Sequence, residues 1–240
     1  MANTGGPLDY LCSKHGLNAV GDTIPIMKVI GHHQPSNEQE VLQLIDSHNG
    51  RFCRECKCKG HGTLKDWANR MYEMQKEDEK WRKKNKLAEE YPFTRHECEE
   101  WFSELFLVAP LVGLKYEKMC FGELKNWLQE NYVIREASRQ VDTRYGVDIE
   151  VGRMEGSSGN RYRMVFRSLF GIQVKSKVYK NARKGVKEGL TKKQQSYSAR
   201  VFFMYYDKDK DCLHDLKKLH KDLEYFYPYA LKPYDKITSS

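Results

Sequence analysis

Asp148, Gln173 and Lys175 are residue types that could share a metal-assisted hydrolysis, and their spacing lets them meet. Asp148 falls in Tyr145-Gly146-Val147-Asp148-Ile149-Glu150-Val151, where apolar and acidic residues alternate, and Gln173-Val174-Lys175 resumes the alternation further on. Successive side chains of a strand point to opposite faces, so Asp148 and Glu150 share one face of a first predicted strand. Gln173 and Lys175 share a face of a second in the same way. A carboxylate, an amide oxygen and an ammonium group at one end of a sheet suit phosphodiester hydrolysis. Oxygen donors hold Mg²⁺, a bound ion polarises phosphate and activates water, and a lysine steadies charge in the transition state. The same pattern also describes two ordinary strands with solvated polar faces.

These residues need elements to position them. A helix is predicted from about Gly113 to Glu130, with a seam of Leu114, Glu117, Phe121, Leu124 and Leu128. Glu117 is the charged member of that apolar seam. It is either a snorkelling side chain at the helix edge or a carboxylate aimed at the site. Downstream, strands are predicted at Tyr132–Arg135, around Asp148, at Tyr162–Phe166, at Gln173–Lys175 and at Val201–Tyr206, with a C-terminal helix from about Leu213 to Phe226. Upstream, Thr94 and Glu97 form a capping box for a helix carrying Trp101, Phe102, Leu105 and Phe106. Residues 1–36, with the paired His32 and His33, read as an irregular arm. A helix over Asn37–Ser47, a Cys/Lys-rich loop over His48–His61 and one long charged helix over 64–90, ended by Tyr91-Pro92, complete the N-terminal part.

The loop carries a second chemistry. Cys53 and Cys56 form a C-x₂-C turn, the half-site from which many tetrahedral zinc sites are built. Cys58 and His61 are the nearest further ligands. Four ligands within one short segment are cramped, so His48, or Cys12 and His15, could supply the fourth. The alternative is a set of reduced thiols in a basic loop.

Length and composition narrow the class. A chain of 240 residues with 40% apolar content can bury a core. No apolar run is long enough to span a bilayer. The first residues lack the basic start and apolar stretch of a secretory signal, and seven cysteines make an odd set, so a reducing cytoplasm is expected. The net charge of +8 suits a chain that meets phosphate. Lys177, Lys180, Arg183, Lys184, Lys187, Lys192 and Lys193 follow Lys175 and could track a DNA backbone; Gln194 and Gln195 are candidate readers of base edges. A solvated lysine-rich surface is the plainer reading. The tyrosines of the C-terminal tail are expected to pack on the core or on a second copy.

Glu117 on a helix, Gly146-Val147-Asp148, Gln173-Val174-Lys175-Ser176, a basic segment and an apolar strand together resemble the PD-(D/E)XK nuclease superfamily, and within it type II restriction endonucleases. The resemblance covers roughly residues 95–206. Glu100-Trp101-Phe102 and Gly113-Leu114-Lys115-Tyr116-Glu117 resemble an archaeal group that cuts at CTAG. The resemblance implies an α/β fold with a restriction-endonuclease-like core, a mixed central sheet flanked by helices. That core would span 94–240, after an N-terminal helical region over 1–93 that could bind zinc and serve recognition. It further implies Asp148, Gln173 and Glu117 as Mg²⁺ ligands and Lys175 as the catalytic lysine. Double-stranded DNA is the implied substrate, a homodimer the implied assembly, and a cognate DNA methyltransferase the implied partner in the cell. Gln173 departs from the usual Asp or Glu, and Glu150 could restore the missing charge. A rival reading is a non-catalytic zinc-containing nucleic-acid-binding protein, and the paired histidines with the C-x₂-C loop leave an HNH-type nuclease as a third.

Overall fold

A computed structural model describes residues 7–17, 23–86, 93–157, 163–177 and 194–232. The chain divides into two compact units, Met1–Val112 and Gly113–Ser240.

In the first unit, residues 7–36 are not an irregular arm. They contain α1 (Pro7–Lys14) and α2 (Ile26–His33), whose buried Leu11, Val29 and Ile30 give each short helix a tertiary partner in place of intrinsic helix stability. Next comes α3 (Glu38–His48), capped by the Asn37 side chain on the Glu40 N–H at 3.0 Å. The cysteine-rich segment is a small antiparallel hairpin, β1 (Phe52–Cys53) and β2 (Cys58–Lys59). The predicted single helix over 64–90 is broken at Asp78 into α4 (Leu64–Glu77) and α5 (Glu79–Lys84). Asp78 accepts a hydrogen bond from the Trp81 N–H at 2.9 Å, so it caps the new helix where it ends the old one; Tyr91 and Pro92 lie outside the described residues. The Thr94–Glu97 capping box forms as expected at the head of α6 (Arg95–Ser103), which runs into a π-helical stretch, Glu104–Val108. Trp67, Phe102 and Phe106 make the aromatic centre of this unit, with Trp67 and Phe106 rings 4.7 Å apart.

The second unit begins at Gly113, within α7 (Ala109–Trp127). Its buried face is Tyr116, Cys120, Leu124 and Trp127, followed by Leu128, so the predicted seam is rotated: Leu124 and Leu128 are shared, and Leu114 and Phe121 are only partly covered. A five-stranded sheet follows in the order β3 (Val133–Glu136), β4 (Ile149–Ser157), β5 (Arg163–Ser176), β6 (Arg200–Asp207), β7 (Cys212–His214). The β5–β6 pair is parallel and the other pairs antiparallel. Helices α8 (Arg139–Tyr145) and α9 (Leu216–Phe226) complete the unit. The result is a mixed α/β unit whose mixed sheet is flanked by helices.

One sheet face supplies the core, because register pairs like with like. Ile149 lies opposite Ile172 and Val151 opposite Phe170, while Ile172 and Val174 lie beside Phe202 and Met204; all are buried. Three local expectations are corrected. Tyr145 ends a helix, not a strand, because Ser138 caps α8 and Gly146 at φ +64° closes it in the left-handed conformation. The two strands predicted across 162–175 are one long strand. The C-terminal helix starts later than Leu213, which belongs to β7.

Candidate active site

Asp148 sits in the short link between α8 and β4, and backbone from β5 and from Ala137 just after β3 fixes it. Its N–H donates to the Ile172 carbonyl and its carbonyl accepts from the Ala137 N–H, both at 2.9 Å. Its Oδ2 accepts from the Val174 N–H at 2.6 Å. Lys175 is the next residue of β5, beside Tyr205 of β6. Space for this crossing comes from Gly171: a Cβ there would fall 2.7 Å from the Val147 side chain.

Glu117 reaches the same place from α7. The helix is anchored one residue earlier, where the Tyr116 ring stacks on Tyr206 at 4.2 Å and its hydroxyl donates to Asp211 Oδ1 at 2.9 Å. Burial pushes the Glu117 carboxyl up to about 8, and the charges of Asp148 and Asp142 push the same way while Lys175 pulls back and Glu136 adds a smaller push. Burial also raises Asp148 to about 6, against the pull of Lys175 and of the Val174 N–H and with a push from Asp142. Glu117, Asp148 and Lys175 therefore feel one another's charge in a partly dehydrated place, where Coulomb interactions are strong. Two carboxylates held this way are oxygen donors whose mutual repulsion a divalent cation relieves, so the residues present fit Mg²⁺.

Gln173 is buried on this strand, and its Oε1 accepts from Gln194 Nε2 at 2.9 Å. Gln194 is thus paired with Gln173 and partly covered, whereas Gln195 is exposed. Glu150, weighed as a substitute ligand, is engaged elsewhere: it accepts from Arg135 Nη2 at 2.8 Å and from the Tyr197 hydroxyl at 2.5 Å. Lys177 donates to the buried Asp207 at 2.5 Å. Lys180, Arg183, Lys184, Lys187, Lys192 and Lys193 lie outside the described residues. Tyr116, Tyr197, Arg135 and Gln194 as a partner of Gln173 were invisible to sequence reasoning, since each acts across strands or helices distant in the chain.

In the first unit, His33, His48, Cys53 and Cys56 bring four ligand atoms within 4.8 Å of one another. Two of these were expected from the C-x₂-C turn and His48 as one option for a fourth. His33 had no spacing signal. Cys58 instead donates its thiol to the Cys56 carbonyl at 3.2 Å, and His61 is exposed; neither joins the group. Cys12 is buried in α1, and His15 is 3.0 Å from Asp78.

Comparison with known proteins supplies the class. A family model described as the MjaI restriction endonuclease matches residues 51–223, and no curated protein and no solved structure gives a match. Such a family implies a nuclease that binds and cuts DNA at specific sites. The chain belongs to the MjaI restriction endonuclease family. The matched span contains Glu117, Asp148, Gln173 and Lys175, and it begins after His33 and His48. Among the described residues no helix is long and apolar enough to cross a membrane.

Proposed function

We propose that the chain is a type II, Mg²⁺-dependent endodeoxyribonuclease with a PD-(D/E)XK-type site made by Glu117, Asp148, Gln173 and Lys175. The observation that carries this reading is the Asp148 carboxylate, held by the Val174 N–H one residue before Lys175 within the family-matched span, with the like-charged Glu117 near enough to feel it. Carboxylates held against their own ionisation at a cost in folding stability cluster at functional sites.

Asp148 and Glu117 would hold the ion, and Gln173 would add a neutral carbonyl oxygen, which has a lone pair left beside its bond from Gln194. When bound, the ion lowers the pKa of water and offsets phosphate charge. The chain's own groups do the rest. The Val174 N–H holds one Asp148 oxygen fixed, so its other oxygen faces a defined direction. The Lys175 ammonium donates to the attacking water or to a non-bridging phosphate oxygen as negative charge grows there. The water gives up a proton to solvent as its oxygen bonds to phosphorus; the bond to the 3′ oxygen breaks, that oxygen takes up a proton from solvent to become a hydroxyl, and a 5′-phosphate remains.

Cutting both strands of a palindrome calls for two sites related by the two-fold axis of the duplex, so the working enzyme is a C₂ homodimer. The basic residues of 177–193 track the backbone, and a cognate methyltransferase protects the host's own sites. Incubating unmethylated plasmid with the protein tests the reading. Fixed fragments with ligatable 5′-phosphate ends, formed with Mg²⁺ and not without it, are expected. Random nicking, or cutting indifferent to Mg²⁺, would contradict it. Duplexes containing CTAG are the first short substrates to try, given the sequence resemblance noted above.

A further inference from the structure

We propose that His33, His48, Cys53 and Cys56 bind one structural Zn²⁺ ion that ties the β1–β2 hairpin to the ends of α2 and α3. The inference does not rest on the nuclease reading. The donor set is two thiolates and two imidazoles, the chemistry zinc takes in closed structural sites, and four protein ligands leave no open position for catalysis.

The geometry of each ligand fits. His48 closes α3, and its Nδ1 is 2.6 Å from the Leu44 carbonyl. A carbonyl only accepts, so Nδ1 carries the proton and Nε2 is left with its lone pair. That Nε2 lies 3.1 Å from Cys56 Sγ. His33 closes α2, with Nε2 4.0 Å from Cys53 Sγ and Nδ1 4.0 Å from the Glu55 carboxylate. The Leu44 carbonyl behind the His48 imidazole is the kind of outer partner that orients a zinc-bound histidine, while the Glu55 carboxylate lies near His33 beyond hydrogen-bond distance. Tetrahedral bonds of about 2.0–2.3 Å set ligand atoms roughly 3.3–3.8 Å apart, so a cluster already within 4.8 Å needs only a small contraction.

The hairpin itself calls for such a clamp. Its strands have two residues each, and Lys57 in its turn holds a φ of +53° without being glycine. Its exposed side chains include Arg51, Arg54, Lys57 and Lys59, which offer little apolar burial to hold it down. Cys58, paired with Cys53 across the ladder, turns its thiol to the Cys56 carbonyl. The other histidine group, His32, His33 and Glu55, is open to solvent at His32 and Glu55 and shares His33.

The test uses the full chain purified without chelator. Elemental analysis should find one zinc ion per chain, and zinc-edge X-ray absorption should show a first shell of two sulfurs and two nitrogens. His33→Ala and Cys56→Ser should each lose the ion, while Cys58→Ser should keep it. Should either ligand variant fail to fold, the wild-type spectrum decides alone. A shell of three sulfurs would place Cys58 on the metal and overturn this ligand set. A zinc-free protein with free thiols, or with Cys53 and Cys56 joined in a disulfide, would overturn the site altogether.

Discussion

At Glu117 the chain keeps a carboxyl where burial and the Asp148 charge both oppose its ionisation, raising it to about 8. Folding in Mg²⁺-free buffer therefore takes up a proton at this residue. The penalty is absent below the ordinary carboxyl range near 4.5, grows as pH rises through it and is complete above about 8. Glu117→Gln should flatten that decline and stabilise the Mg²⁺-free protein at pH 8 by roughly 1–3 kcal/mol, while cleavage falls by at least about a hundredfold. Thermal unfolding against pH, with a parallel cleavage assay, checks both arms; a variant less stable at pH 8 would contradict the account. Glu150 should behave oppositely. Glu150→Gln breaks a buried carboxylate's bonds to Arg135 and Tyr197, with an expected loss of about 1–3 kcal/mol, moderated because Arg135 is half exposed. Its cleavage at a temperature where it stays folded should remain near wild type. Loss of cutting as complete as in an Asp148 variant would make Glu150 a metal ligand after all. Strand alternation in the sequence picked out Asp148 and Lys175, although Asp148 stands one residue ahead of β4 rather than within a strand, and an apolar seam picked out Glu117 by its charge. Sequence alone could not assign Glu150, since Arg135 and Tyr197 meet it only through pairing with β3 and a contact across 47 residues.

Strand β5 carries the proposed site residues Gln173 and Lys175 at one end and a bulge in its middle. The register slips between Val151 and Gly152, so that Gly152 faces Ser168 and Leu169 is left over. The freed Leu169 carbonyl accepts from the Tyr227 hydroxyl at 2.9 Å. A Cβ on Gly152 would overlap the Arg167 carbonyl oxygen and come within 2.7 Å of the Phe166 ring. Gly152→Ala should thus cost more than about 2 kcal/mol, read as a lowered midpoint of thermal unfolding. An unchanged midpoint would show that the bulge can relax. Elements with a strong local signature were legible: the Thr94 capping box, the Asn37 cap and the apolar run of β6. Those set by tertiary context were not. The α1 and α2 helices are too short for periodicity to reveal, α8 is a seven-residue helix of mixed charge just ahead of Asp148, and β7 has only three residues. The histidine–cysteine group shows the same limit: the C-x₂-C turn was readable, whereas His33 joins it only because α2 ends there.

For the whole molecule, a net charge of +8 coexists with an acid-rich site. The cationic excess would govern capture of DNA, and the carboxylates would govern the cation needed to cut it. Affinity for a duplex should fall steeply with salt, with each phosphate neutralised adding about −0.9 to the slope of log K against log salt. Lys192→Gln with Lys193→Gln should lower that slope by about one to two without changing which sites are cut. An unchanged slope would remove these lysines from the backbone contacts. Asp148 and Lys175 are the residues proposed to perform the hydrolysis. The most direct measurement is Mg²⁺-dependent cleavage of unmethylated phage DNA by the wild type, Asp148→Ala and Lys175→Ala, each with its DNA affinity measured alongside. Discrete fragments are expected from the wild type alone, with binding retained in all three. Cutting that survives both substitutions would contradict that assignment.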